Sequence, residues 1–102
     1  MKNFLITPDF KISRAMKKIS ETGERCLMVI NNGNKLLGTI TDGDIRRAIL
    51  KGVNINESIN SIYSKDPSVL VKGKYSIEDA KKIFSYHKST LIPIVDSSNN
   101  LV

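Results

Sequence analysis

Apolar residues recur at helical spacing near the start of the chain. Ile12, Ala15, Met16 and Ile19 fall at i, i+3, i+4 and i+7, the stripe of an amphipathic helix. Gly23 supplies its stop. Cys26 to Ile30 is an unbroken apolar run and reads as a buried strand. Asn31-Asn32-Gly33-Asn34 is a turn whose residues tolerate positive φ, and Leu36 to Thr41 is the return strand of a hairpin. Residues 42–51 form a second helix, with Ile45, Ala48 and Ile49 on one face and Gly52 as its stop.

A second series follows in the same order. Val69 to Val71 is a short strand. Ile77, Ala80, Ile83 and Phe84 make a helix stripe over residues 76–87, opened by a Ser76/Asp79 capping pair. Leu91 to Val95 is a strand, with Pro93 at an edge or unpaired position. Asp96 to Asn100 is a turn, and Leu101-Val102 begins the return. Residue n set against residue n+65 aligns the two series without a gap: Leu5/Leu70, Ile12/Ile77, Ala15/Ala80, Asn34/Asn99 and Leu36/Leu101 are identical pairs. Ile55, Ile59, Ile62 and Tyr63 suggest a short amphipathic connector, and Asp66-Pro67 extends the chain.

Neither β-α-β-β-α unit is large enough to bury a core alone, so the two are expected to pack together. The fold class is therefore α/β (α+β): tandem repeats related by a pseudo-two-fold, the second truncated. The second copy stops at the counterpart of Leu37, which predicts a longer polypeptide. Its open hairpin edge predicts a homodimer or swapped pair covering the region from Leu91 to Val102.

Composition narrows the function. The chain has 102 residues, 40% hydrophobic and 25% charged, a globular balance. No apolar run approaches the roughly 20 residues of a membrane span, and Phe4-Leu5-Ile6 before Pro8 is too short for a signal-peptide core. One cysteine, Cys26, fits core packing in a reducing cytoplasm; with a single histidine, His87, it leaves no His/Cys zinc site in one chain. The formal charge of +6 comes from scattered lysines without interleaved aromatics, which argues against nucleic acid. His87 beside Lys88 suits a helix C-terminus. Nucleophile–base pairs and Walker-type phosphate loops are missing, so no catalytic or metal-binding residue is assigned and the segment is not expected to be an enzyme.

The candidate chemistry lies in Gly38-Thr39-Ile40-Thr41-Asp42-Gly43-Asp44-Ile45-Arg46-Arg47, which runs from a strand into a helix. Thr41 and Asp44 are spaced as a capping box, and both aspartates suit the positive end of the helix dipole. Capping explains these two residues without any ligand. Gly38 lets another group approach the strand, the helix start offers N–H groups to an anion, and a carboxylate suits the paired hydroxyls of a ribose. With Arg46 and Arg47 following, a ribose on Asp44 and a phosphate near Thr41 make a coherent nucleotide site.

Here the chain resembles the CBS (cystathionine-β-synthase) family, as a CBS pair or Bateman module lacking its last segment. Gly38, Thr41 and Asp44 match the family pattern Gly-x-x-Thr/Ser-x-x-Asp. Ile12/Ala15 and Ile77/Ala80 match its x-Ile-x-x-Ala helix start, and Ile92-Pro93-Ile94-Val95-Asp96 echoes its apolar-Pro-Val-Val-Asp strand; Leu27-Met28-Val29-Ile30-Asn31 has lost both Pro and Asp. The resemblance divides the chain into a first motif at 1–54, a connector at 55–65 and an incomplete second motif at 66–102. It implies a non-catalytic regulatory module, requiring no cofactor, that binds an adenine nucleotide (AMP, ADP, ATP or S-adenosylmethionine) as partner and controls an attached domain. It implies that Asp44 holds the ribose, that Thr41 lies near ribose or phosphate, that Ile6 and Thr7 meet the base, and that Arg25 reaches phosphate; Arg46, read from the residues themselves, is a candidate basic contact beside it. The run from Thr41 to Arg47 is similar to CBS pairs on sugar-phosphate enzymes. Met1 directly before the first copy favours those on sugar-1-phosphate nucleotidyltransferases over those on isomerases, with the catalytic domain beyond Val102. The alternative is a structural dimerisation module without a small ligand.

Overall fold

The fold is described from a computed structural model, over residues 4–23, 25–65, 69–78, 81 and 93–102. Strand β1 (Leu5–Ile6) leads to helix α1 (Ile12–Thr22), strands β2 (Cys26–Ile30) and β3 (Leu36–Thr41), and helix α2 (Asp42–Leu50). Strand β4 (Leu70–Val71) and strand β5 (Ile94–Val95) belong to the second series. Sheet order is β1-β2-β3, with β1 parallel and β3 antiparallel to β2, while β4 and β5 pair in parallel.

The continuous apolar run of β2 has its reason in two-sided burial. Leu27 and Val29 belong to a cluster with Ile6, Ile12, Ala15, Ile40, Ile45 and Ile59. Met28, on the other face, joins Leu36 and Val95 in a second cluster, with Val69, Val71 and Leu101 against it. The second cluster is where the two series meet. Burial in the helices stops at the stripe's centre: Ile12, Ala15, Ile45 and Ala48 are buried, whereas Met16 and Ile49, expected inside, are exposed. Ile77, the expected counterpart of buried Ile12, is 75% exposed. The remaining stripe residues Ala80, Ile83 and Phe84, with Asp79, His87, Leu91 and Ile92, lie outside the described residues.

Helix α1 has no side-chain N-cap. Its leading amides are met by the connector: Ile12 N donates to Glu57 O and Ser13 N to Ile55 O, both at 2.9 Å. Ile59 N returns a bond to Phe10 O at 2.8 Å, and the Ile59 side chain is fully buried in the 3-10 turn Ile59–Ser61. The connector is thus a built part of the first unit. Gly23, at φ 72°, ends α1 in the left-handed region, as expected.

The hairpin tips reveal the two-fold relation. Asn34 and Asn99, paired at the offset of 65, have φ of 65° and 67°. Asn34 Nδ2 donates to Leu101 O and Asn99 Nδ2 to Leu36 O, each at 2.8 Å. Leu36 N donates to Asn99 O and Leu101 N to Asn34 O, and Lys35 faces Asn100 across an antiparallel bridge. Every bond has its mirror under exchange of n and n+65, so a pseudo-two-fold axis passes between Lys35 and Asn100. The ungapped alignment fails at the first strand. Ile6 opposes Val29, and Val29 corresponds to Ile94, whose partner is Leu70 rather than Val71. Leu70, which the offset pairs with Leu5, takes the buried place of Ile6 instead of Val71, one residue short of the offset elsewhere.

The second tip carries a pH dependence. Asp96 accepts from Asn100 N and Ser98 N, each at 2.9 Å, and from Asn100 Nδ2 at 3.2 Å. These bonds, the Asn100 backbone N–H foremost, lower the Asp96 pKa below the ordinary carboxylate value. A lowered folded pKa means stability that is complete above the ordinary value and lost as pH falls through the folded one. Unfolding measured between about pH 2 and about pH 5 will show this loss, and Asp96→Asn will flatten it. An unchanged pH profile in the variant refutes the assignment.

Candidate functional site

The β3–α2 junction is built by its own sequence. Thr41 Oγ1 accepts from Asp44 N at 3.1 Å, and Asp44 Oδ2 accepts from Thr41 N at 2.9 Å, a complete capping box. Asp42 N donates to Arg25 O at 2.9 Å, tying the chain before β2 to the helix start. Arg46 pairs with Asp42 and Arg47 with Asp44, each N–O distance being 2.7 Å.

These pairs differ in setting. The Arg46 and Asp42 side chains are both at least half exposed, so the pair is an ordinary surface one. The Asp44 side chain is 17% exposed, with one oxygen on Thr41 N and the other on Arg47. Sequence reasoning placed Arg46 in the site; the arginine that meets the candidate carboxylate is Arg47. Its signal was the i,i+3 spacing from Asp44.

Arg25 is exposed and lines an open depression of about 330 Å³ with Met16, Ile19, Ser20, Gly23, Asp42 and Ile45. The depression lies between the two helices and does not include Thr41 or Asp44.

Ile6 and Thr7 lie elsewhere. Ile6 is buried in the core opposite Val29, so its side chain is not available to a base. Thr7 follows it at the Ile30 end of β2, where its hydroxyl donates to Asp9. Thr41 is level with Cys26 at the opposite end. Four residue steps of strand separate these ends, about 13 Å. Thr41, Asp44, Arg46, Arg47 and the Arg25 backbone gather at one end of the sheet; Ile6 and Thr7 do not join them.

The group that approaches Gly38 is the connector. Ser64 pairs in both directions with Thr39, N–O 3.0 and 2.8 Å, and an alanine Cβ at Gly38 would stand 1.9 Å from Ser64 O. That glycine is explained by backbone packing inside the chain. Among the described residues no cluster of three or more His, Cys, Asp or Glu is placed to hold a metal, and no helix is long and apolar enough to cross a membrane.

Known proteins share this fold. The chain is 30% identical over 99 residues to the arabinose 5-phosphate isomerase KdsD of Francisella tularensis, covering 96% of this chain and 30% of that protein. It spans less than a third of the curated relatives it matches. The CBS domain pair of protein MJ0100, in complex with 5′-methylthioadenosine and S-adenosyl-L-methionine, superposes with a TM-score of 0.82 at 19% identity, covering 97% of this chain and 77% of that one. CBSX2 in complex with AMP gives 0.78 at 19% identity, covering 95% and 76%. The CBS domain model matches residues 1–51, the span that carries β1 to α2 and the Gly38–Thr41–Asp44 junction, and the chain belongs to the CBS domain family.

Proposed function

We propose that the chain is a non-catalytic regulatory module that binds an adenine nucleotide at the β3–α2 junction and reports its occupancy to an attached enzyme acting on a sugar phosphate. The observation that carries the reading is the Asp44 carboxylate held at the helix start by Thr41, shielded yet reachable. Two charge-assisted bonds from a ribose diol suit such an acceptor, and the helix start suits a phosphate. The adenosyl ligands of the MJ0100 pair and of CBSX2 support the ligand class. In this reading 1–54 and 66–102 are two CBS motifs joined by 55–65, and Arg47, paired with Asp44, is the positive charge at the ribose carboxylate.

The similarity to arabinose 5-phosphate isomerases supports sugar-phosphate chemistry for an attached enzyme and favours isomerisation over nucleotidyl transfer. A second reading, self-association into a homodimer, is favoured by exposed Met16, Ile49 and Leu50 on the two helices. Calorimetric titration with AMP, ADP, ATP and S-adenosylmethionine tests the first reading. At least one is expected to bind with Kd below about 1 mM. No heat from any of them at that concentration removes it and leaves association alone.

A further inference from the structure

Resting on the nucleotide reading, we propose that Arg47 is a latch on Asp44 that makes the site select nucleotides carrying a phosphate over the corresponding nucleoside. Both oxygens of Asp44 are occupied: Oδ2 by Thr41 N inside the capping box, and Oδ1 by Arg47 Nη2. The Thr41 bond belongs to the helix and stays. The Arg47 bond is the one a ribose diol competes with for Asp44.

The geometry fits a movable guard. The Arg47 side chain is 66% exposed while its partner is 17% exposed, so the arginine is the mobile member and the carboxylate the fixed one. An exposed ion pair of this kind is weak and exchanges readily. Gly43 leaves the arginine its path. A Cβ there would meet Arg47 Nη1 at 3.3 Å and Thr41 Oγ1 at 3.7 Å. The guanidinium therefore already lies over the first turn of α2.

Displacement then has two outcomes. A nucleoside takes Asp44 from Arg47 and offers the guanidinium nothing in return. A nucleotide takes Asp44 and hands the released guanidinium a phosphate, an exchange of one anion for another. Arg46, tied to Asp42, has no part in this exchange.

The test is calorimetric titration of the protein with AMP and with adenosine, before and after Arg47→Gln and Arg47→Lys. The unaltered protein is expected to prefer AMP by about tenfold or more, the scale of one charge-assisted contact. Arg47→Gln is expected to weaken AMP about tenfold and to strengthen adenosine about twofold, since the guard is gone. Arg47→Lys, which keeps the charge, retains most of the preference. If AMP binds the unaltered protein and Arg47→Gln leaves the AMP-to-adenosine ratio unchanged, the latch is overturned while the nucleotide reading stands. Equal loss of preference in Arg47→Lys and Arg47→Gln overturns the charge exchange. If neither ligand binds the unaltered protein, the nucleotide reading itself falls, and the latch with it.

Discussion

Gly38→Ala is expected to destabilise the protein by about 3 kcal/mol, at the upper end of what overpacking costs. The added Cβ would stand 1.9 Å from the backbone oxygen of Ser64 and within 2.8 to 2.9 Å of the Tyr63 ring. A flexible side chain end could turn aside, but a backbone oxygen is held by what it bonds. Ser64 O accepts from Thr39 N at 3.0 Å, and Ser64 N donates to Thr39 O at 2.8 Å. Moving the connector breaks both bonds, each worth about 0.5–1.5 kcal/mol. It also lifts partly buried Ile62 and Tyr63 from the core. For a chain of this length the melting temperature falls by roughly 12 °C or more. Thermal unfolding followed by circular dichroism measures it. Gly33→Ala is the control, because a Cβ there meets nothing within 4 Å except Asn31 Oδ1 at 3.3 Å. A Gly38→Ala variant that melts with the unaltered protein would show that the connector is not seated on β3.

Asp44→Ala is expected to weaken nucleotide binding by about tenfold to a hundredfold, the loss of one or two charge-assisted bonds. The same change removes half of the capping box and the partner of Arg47, so the helix start loses about 0.5–2 kcal/mol. The two effects are separable. Asp44→Asn keeps an oxygen for Thr41 N and much of the shape, so it retains most of the stability while losing the charge. Affinity and thermal stability are to be measured on both variants. Equal affinity in all three proteins, with lowered stability in Asp44→Ala alone, would leave capping as the whole role of this residue. The ligand effect is then absent and the association reading gains.

Much of the candidate site was legible because it is local. Thr41 and Asp44 close their box over three residues, Arg47 lies one further helical step from Asp44, and the spacing alone predicts who can touch. Choosing between the two arginines was not local. Each has an aspartate at helical distance, and only the different exposure of Asp42 and Asp44 in the folded chain separates a surface pair from one that guards a shielded carboxylate. Ile6 and Thr7 precede the first helix in the sequence, which says nothing of where the sheet register sends them. Parallel pairing with β2 places them at the far end from Thr41.

By itself the sequence determined the elements: the stripes of α1 and α2, the αL stop at Gly23, the buried run of β2, the Asn-rich tips and the capping box. Each depends on residues within a turn or a pleat of one another, where periodicity and backbone preference act directly. Tertiary structure decided the pairings across long stretches of chain. It set the connector's carbonyls over the start of α1, Ser64 over Gly38, and Asn34 and Asn99 across the pseudo-two-fold axis onto carbonyls 67 and 63 residues away. It also slid β4 by one residue so that Leu70 fills the place of Ile6. Such partners are selected by which surfaces bury together and which backbone groups would otherwise be left unpaired, and those conditions exist only once the whole chain has folded.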